Sequence, residues 1–281
     1  MLKSSFKFNK GMLHLIVILG AIIIMYPLLW MISSSFKPDT LIFKDIGLWP
    51  SQFTLDNYTN GWKGTGGVTF SRYYINTFII VLSVILGNLL TCSMTAYSFA
   101  RFEFPLKKAL FGMMLMTLML PYHAVLIPRY TMFFKLGWVN TYLPMIVPKF
   151  LATDAFFIFL MVQFIRGLPS ELDKAATIDG CNKFQIYLKI ILPLSVPALV
   201  TTAIFTFIWT YSDFFSQLLY ISNPTSYTIS LGLRLFIDAT GQSSFGQLMA
   251  MSCLSLLPVI IFFIFFQNLL VEGIATSGLK G

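Results

Sequence analysis

Six runs of apolar residues divide the chain, at about 12–34, 74–99, 106–127, 141–166, 194–221 and 246–270. Each is long enough to cross a hydrocarbon layer roughly 30 Å thick, which takes about 20 residues of α-helix. The pattern predicts an all-α membrane protein with six transmembrane helices. Polar positions collect in two places. Between the first and second runs, a stretch rich in Gly, Asn, Thr and Trp passes from Lys37 through Leu48-Trp49-Pro50 and Gly64-Thr65-Gly66-Gly67 to Arg72, which predicts a folded extramembrane loop. Between the fourth and fifth runs, residues 167–193 leave the apolar register.

Composition removes whole classes of function. The 281 residues are 57% hydrophobic and 11% charged, with a mean hydropathy of +0.78, against roughly 25% charged in a soluble domain. Six spans with short loops leave no room for a large soluble catalytic domain, so the chain reads as one transmembrane domain over 1–281. A net charge of +8 in so apolar a chain points to topology rather than to nucleic acid, because cytoplasmic loops concentrate Lys and Arg. With the N-terminus inside, eleven of the nineteen basic residues fall in cytoplasmic segments: Lys3, Lys7, Lys10, Arg101, Lys107, Lys108, Arg166, Lys174, Lys183, Lys189 and Lys280. The assignment is N-in and C-in. The first run, at 23 residues with Pro27 and Trp30 inside it, is longer than a cleavable signal core and is expected to stay as a helix.

Motifs for intrinsic chemistry are missing. Cys92, Cys181 and Cys253 lie far apart, and His14 and His123 are the two histidines, so neither a disulfide framework nor a zinc site is expected. There is no G-x-x-x-x-G-K-[ST] to cradle phosphates, no H-E-x-x-H and no G-x-S-x-G. The chain is expected to bind no cofactor of its own and to catalyse no reaction.

The 167–193 segment carries the most specific local signals. Ser170 with Asp173 three residues on is a capping-box pattern, and Glu171 and Asp173 suit the positive end of a helix dipole. The pattern predicts a short helix from Glu171 through Leu172, Lys174, Ala175 and Ala176, ended at Gly180, where a left-handed residue costs least. A second short helix is predicted through Phe184, Ile186 and Leu188 to Leu192-Pro193. Spacing alone leaves two readings open, a docking element for a cytoplasmic partner and a plain amphipathic hairpin.

Ala175-Ala176-x-x-x-Gly180, then nine residues, then Ile190-x-Leu192-Pro193, resembles the EAA loop of permease subunits in binding-protein-dependent ABC importers. The resemblance covers nearly the whole chain. It runs through Tyr26-Pro27-Leu28-Leu29-Trp30, Ser35-Phe36-Lys37, Tyr74-Ile75-Asn76-Thr77, Ala96-Tyr97-Ser98-Phe99-Ala100-Arg101-Phe102, Met119-Leu120-Pro121, Leu126-Ile127-Pro128, Leu136-Gly137, Asn140-Thr141-Tyr142 and a closing Gln267, Gly273 and Gly278-Leu279-Lys280-Gly281. It points to the carbohydrate-importer branch and to the second permease of the pair, similar to the smaller permease of the maltose transporter.

The resemblance implies the transmembrane architecture of a type I ABC importer in the bacterial cytoplasmic (inner) membrane. It implies a second homologous permease, a dimer of ATP-binding subunits that hold ATP and Mg, an extracytoplasmic sugar-binding protein, and an oligosaccharide as solute. The coupling residues carried over are Glu171, Asp173, Lys174, Ala175, Ala176, Asp179, Gly180, Leu192 and Pro193. Lys174 stands where the family most often has Glu; an acidic contact would then fall to Glu171 or Asp173. Two alternatives stay open: a permease for a non-sugar solute such as a glycerol phosphodiester, and a membrane scaffold that transports nothing.

Ionisable residues inside spans are costly in hydrocarbon and so are functional candidates. Asp213, with Trp209, Tyr211 and Tyr220 nearby in sequence, combines aromatic faces with hydrogen-bonding groups suited to a sugar. Trp209, Tyr211 and Asp213 are therefore candidate pathway residues. The alternative for Asp213 is a bond to a neighbouring helix or exposure to outer water. Lys149 and Asp154 are five apart, off the ideal helical pair spacing, and are expected to reach an interface or the partner permease. The Phe156-Phe157 and Phe262-Phe263 runs are expected to face lipid or pack helices.

Overall fold

A computed structural model describes residues 10–237 and 244–278; Lys3, Lys7 and the closing Leu279-Lys280-Gly281 lie outside the described residues. Among the described residues four helical runs are long and apolar enough to span a membrane: Lys10–Ser34, Phe70–Arg101, Leu143–Gly167 and Phe245–Gln267. The pair Lys183–Leu194 and Val196–Tyr211, bent by 74°, supplies a fifth if counted as one span. No strand is present among the described residues, so the all-α class holds, while the third expected span is not a single helix.

That break has a covalent cause. Helix α4 (Lys107–Thr117) stops short, residues 118–121 turn, and a 3₁₀ turn at Tyr122–Val125 leads into α5 (Leu126–Lys135). Pro121 lacks an N–H and drives the residue before it off helical dihedrals. Pro128 is accommodated in the first turn of α5, where its missing donor has no intrahelical partner to lose.

The chain divides into two compact units, Met1–Phe70 with Leu233–Leu257 and Ser71–Gly232 with Pro258–Gly281. In the first, α1 (Lys10–Ser34) is apolar on all sides and exposes its isoleucines and leucines, as a lipid-facing helix must. The polar stretch after it folds around Lys37, which has no exposed surface. Its Nζ donates to the carbonyls of Asp45 (2.6 Å) and Gly47 (2.5 Å) and lies 4.0 Å from the Asp45 carboxylate. Asn57, on α2 (Asp56–Lys63), donates to the carbonyls of Ser35 (2.9 Å) and Lys37 (2.8 Å). The Gly246 N–H donates to the Asp39 carboxylate at 2.5 Å. Lys37, read from sequence as a loop charge, is thus the centre of a small polar core.

The second unit is organised by α3 (Phe70–Arg101). Its polar side chains meet, one after another, the places where other segments leave the helix. Asn76 donates to the carbonyls of Thr225 (3.0 Å) and Tyr227 (2.8 Å), and Thr77 accepts from the Ile229 N–H at 3.0 Å. Thr91 donates to the Lys149 carbonyl at 2.8 Å. Ser93 bonds the Tyr187 hydroxyl at 2.7 Å, beside the π-helical turn Tyr187–Ile191. Tyr97 donates to the Lys183 carbonyl at 3.2 Å. Gly87 lets this happen at short range, because a Cβ there would stand 2.9 Å from the Phe150 ring and 3.1 Å from the Lys149 backbone.

Helices α6 (Leu143–Ile146) and α7 (Ala155–Gly167) are joined by a 3₁₀ turn, Val147–Leu151, and by Ala152 at φ 54°. A non-glycine residue in that region costs roughly 1–2 kcal/mol. Helices α8 (Glu171–Ile178), α9 (Lys183–Ile186) and the short α10 (Leu192–Leu194) follow. After the bend come α11 (Val196–Tyr211), α12 (Phe215–Tyr220), α13 (Ile229–Leu233) and α14 (Phe245–Gly278).

Replacing Lys37 with Met keeps the apolar stem and removes the donor, leaving two inward carbonyls unpaired. The expected loss is about 1–3 kcal/mol, read as faster limited proteolysis of residues 36–64; an unchanged cleavage rate contradicts the structural role given to Lys37.

Candidate functional site

The 167–193 segment forms the expected helix, Glu171–Ile178, and Gly180 adopts the left-handed conformation at φ 82° that ends it. The capping pattern at its start does not operate. The Ser170 side chain makes no cap bond, and Asp173 turns away to the Arg101 guanidinium, whose Nε lies 2.8 Å from its Oδ2 with both side chains largely buried. Arg101 also donates through Nη2 to the Leu168 carbonyl at 2.9 Å. An ionic partner across the chain outcompetes a local cap because two opposite charges shielded from water attract strongly.

The capping box lies one helix later. Asn182 accepts from the Gln185 N–H at 2.9 Å, and the Gln185 side chain accepts from the Asn182 N–H at 2.8 Å. The Asn-x-x-Gln spacing was the signal in the sequence.

Of the coupling candidates, Ala176 is buried in the core with Cys92, Ile186 and Ile191. Glu171, Lys174, Ala175, Asp179 and Gly180 are exposed, and Asp173 is held by Arg101. Leu192 packs against the same core, while Pro193 is exposed in α10, just before the 74° bend at Ser195. A hydrogen bond from its own backbone N–H, helped by the nearby Lys174 ammonium, holds the Glu171 carboxyl below its ordinary value. It is therefore ionised at neutral pH. Ile178 is 86% exposed at the end of α8, an apolar side chain that its own chain leaves uncovered.

A second feature lies within the same unit, a cavity of about 540 Å³ lined by Arg129, Lys149, Asp154, Trp209, Asp213 and Gln217 among others. Lys149 and Asp154 pair with each other, Nζ standing 2.7 and 2.8 Å from the two carboxylate oxygens. The five-residue spacing works because the intervening chain is a 3₁₀ turn with Ala152 left-handed rather than an α-helix. Asn88 of α3 fixes the pair by donating to Asp154 Oδ2 at 2.7 Å. Asp213 lies in the 212–214 break and accepts from the Ser216 N–H at 3.0 Å, at the start of α12. Trp209 is braced by the rings of Phe156, Phe157 and Phe205 at 5.5, 5.3 and 5.7 Å and remains half exposed.

Tyr211 is not among the cavity-lining residues; it is buried and stacks on Phe207 at 5.4 Å. Thus two of the three pathway candidates line one cavity. Of the phenylalanine runs, Phe157 is buried and Phe262 stacks on Phe207 at 4.0 Å, while Phe263 is exposed. Sequence reasoning gave no structural partner to Arg101, which it counted as a topological charge and as part of the resemblance, and missed Asn88, whose amide in an apolar run was a visible signal.

A family profile described as binding-protein-dependent transport system inner membrane component matches residues 84–276. The chain is 35% identical to the probable ABC transporter permease protein YurM of Bacillus subtilis, over 92% of this chain and 85% of that one. It is 33% identical to the arabinooligosaccharides transport system permease protein AraQ of Halalkalibacterium halodurans, over 93% of each. Its backbone matches a chain of a bacterial ABC transporter involved in importing the acidic polysaccharide alginate. The TM-score is 0.82 at 19% identity, over 95% of this chain and 99% of that one, a likeness of fold.

Arg101→Gln removes the charge facing Asp173 and weakens the hold on Leu168. A charge-assisted bond contributes about 1.5–3 kcal/mol, so amide hydrogen exchange across residues 171–178 is expected to quicken about tenfold or more, with residues 196–211 unchanged. Equal exchange in both segments contradicts the anchoring role.

Proposed function

The chain belongs to the family of inner membrane components of binding-protein-dependent transport systems, and on that footing we propose that it is a permease subunit of an ATP-driven oligosaccharide importer. It forms half of the translocation pathway and works beside a second, homologous permease. An extracytoplasmic binding protein delivers the sugar, and a dimer of cytoplasmic ATPase subunits holds ATP and Mg. N- and C-termini lie on the cytoplasmic side, the same side as α8. The names of relatives such as the arabinooligosaccharide permease support the choice of solute.

The observation that carries the coupling role is Ile178, an 86% exposed apolar side chain on a helix whose other end is pinned by Arg101. Ile178, Ala175, Lys174 and Glu171 form the face offered to the ATPase. Because Asp173 is engaged by Arg101, the acidic contact falls to Glu171, and Lys174 adds a positive charge at the position where the EAA resemblance implies Glu.

The lever is mechanical. Arg101 joins α8 to the end of α3, and 10 and 13 residues back, about 15–20 Å along a helix, Thr91 and Asn88 hold the segment that walls the cavity. A displacement of α8 on ATP binding is thereby carried to the pathway. Such a device biases two conformations only through contacts that differ between them.

Ile178→Asp changes an exposed position and leaves the fold in place, yet it puts a charge at the centre of the docking face. The expected result is loss of the ATPase from the affinity-purified complex by about tenfold or more, with the second permease retained. Full retention of the ATPase overturns the docking role.

A further inference from the structure

We propose that the cavity bounded by Lys149, Asp154, Trp209 and Asp213 is a subsite for one uncharged sugar ring, and that the Lys149–Asp154 pair selects neutral polyols over anionic ones. This rests on the transport reading above and names the chemistry of its pathway.

Size comes first. At about 540 Å³ the cavity falls within the range of small-molecule sites, roughly 300–1,000 Å³. Its lining has the two surfaces that a pyranose presents, an apolar C–H face and a ring of hydroxyls. Trp209 offers a half-exposed indole held by three phenylalanine rings. The rest of the lining mixes apolar side chains such as Val84 and Met145 with the charged groups and the Gln217 amide.

Charge then decides the class of ligand. The lining has two cations, Arg129 and Lys149, and two carboxylates, Asp154 and Asp213, which cancel formally. Lys149 is held by both oxygens of Asp154, and Asn88 keeps that carboxylate in place. An incoming phosphate or carboxylate would have to draw Lys149 away from its partner while facing Asp154 at close range, in surroundings where such repulsion is poorly screened. A hydroxyl does neither. It donates to a spare lone pair of Asp154 or Asp213 and accepts from the remaining ammonium hydrogen, leaving the pair intact. The strained Ala152 that brings Lys149 and Asp154 together is the local cost of building this wall.

The test uses the purified complete importer with two probes, maltotriose as the neutral one and sn-glycerol 3-phosphate as the anionic one. Binding is read by saturation-transfer NMR without the binding protein. Wild type is expected to bind maltotriose in preference to the phosphate ester. Trp209→Ala and Asp213→Asn are expected to weaken that binding about tenfold, while Trp209→Phe keeps most of it. Asp154→Asn, which leaves Lys149 without its counter-charge, is expected to gain affinity for sn-glycerol 3-phosphate, a result that mere loss of structure would not produce.

Wild-type preference for the phosphate ester, maltotriose binding unchanged in Trp209→Ala and Asp213→Asn, or no gain in affinity for sn-glycerol 3-phosphate in Asp154→Asn, overturns the proposal. Retention of the ATPase by each variant shows that it is folded. Loss of ATP-driven uptake of every solute by wild-type vesicles would count against the importer reading, whereas the NMR arm judges the subsite separately.

Discussion

A helix that breaks inside a bilayer has no water to take up its freed amide and carbonyl groups, so protein must supply every partner. That constraint shapes the Ser71–Gly232 and Pro258–Gly281 unit. Its segments leave regular helix at 118–121, at 147–154, at 212–214 and at 221–228, among others. Helix α3 answers two of these from its side chains, Thr91 on the Lys149 carbonyl and Asn76 on the carbonyls of Thr225 and Tyr227. The break at 212–214 is met locally by the Asp213 carboxylate on the Ser216 N–H. A long helix is suited to the task because its own backbone is satisfied internally, which frees its side chains for others.

The same arrangement places chemistry at the breaks. Irregular backbone at membrane depth is tolerated where it lines a cavity, and here the 3₁₀ turn and the left-handed Ala152 deliver an ion pair to one. Arg101 repeats the pattern at the other end of α3, where a carbonyl at a helix end and a carboxylate on the next helix share one guanidinium. The groups that hold α8 and those that hold the cavity wall are therefore carried on one helix.

Local sequence signals were legible where local energy governs. The start of α8 at Glu171 and its end before Gly180 follow from helix propensity and the freedom of glycine at φ 82°. The capping pattern Ser170-x-x-Asp173 misled because a cap adds little beside a shielded pair with Arg101, 72 positions upstream of Asp173. The third run, largely apolar after Lys108, predicted a span but contains Pro121, and proline chemistry prevailed over hydropathy. Lys149 and Asp154 read as poor helical partners only because the segment between them was assumed helical.

The linear chain was enough to set the solvent and the class of fold, since hydropathy depends on each residue's own transfer energy and needs no knowledge of neighbours. It was also enough to place the EAA-like loop, a pattern contiguous along the chain. Which polar groups meet emerged with folding alone. Asn88 with Asp154, Arg101 with Asp173 and Trp209 with Phe156 are separated by 66, 72 and 53 positions. The energy of such contacts depends on distance and shielding in space, quantities that no linear spacing encodes.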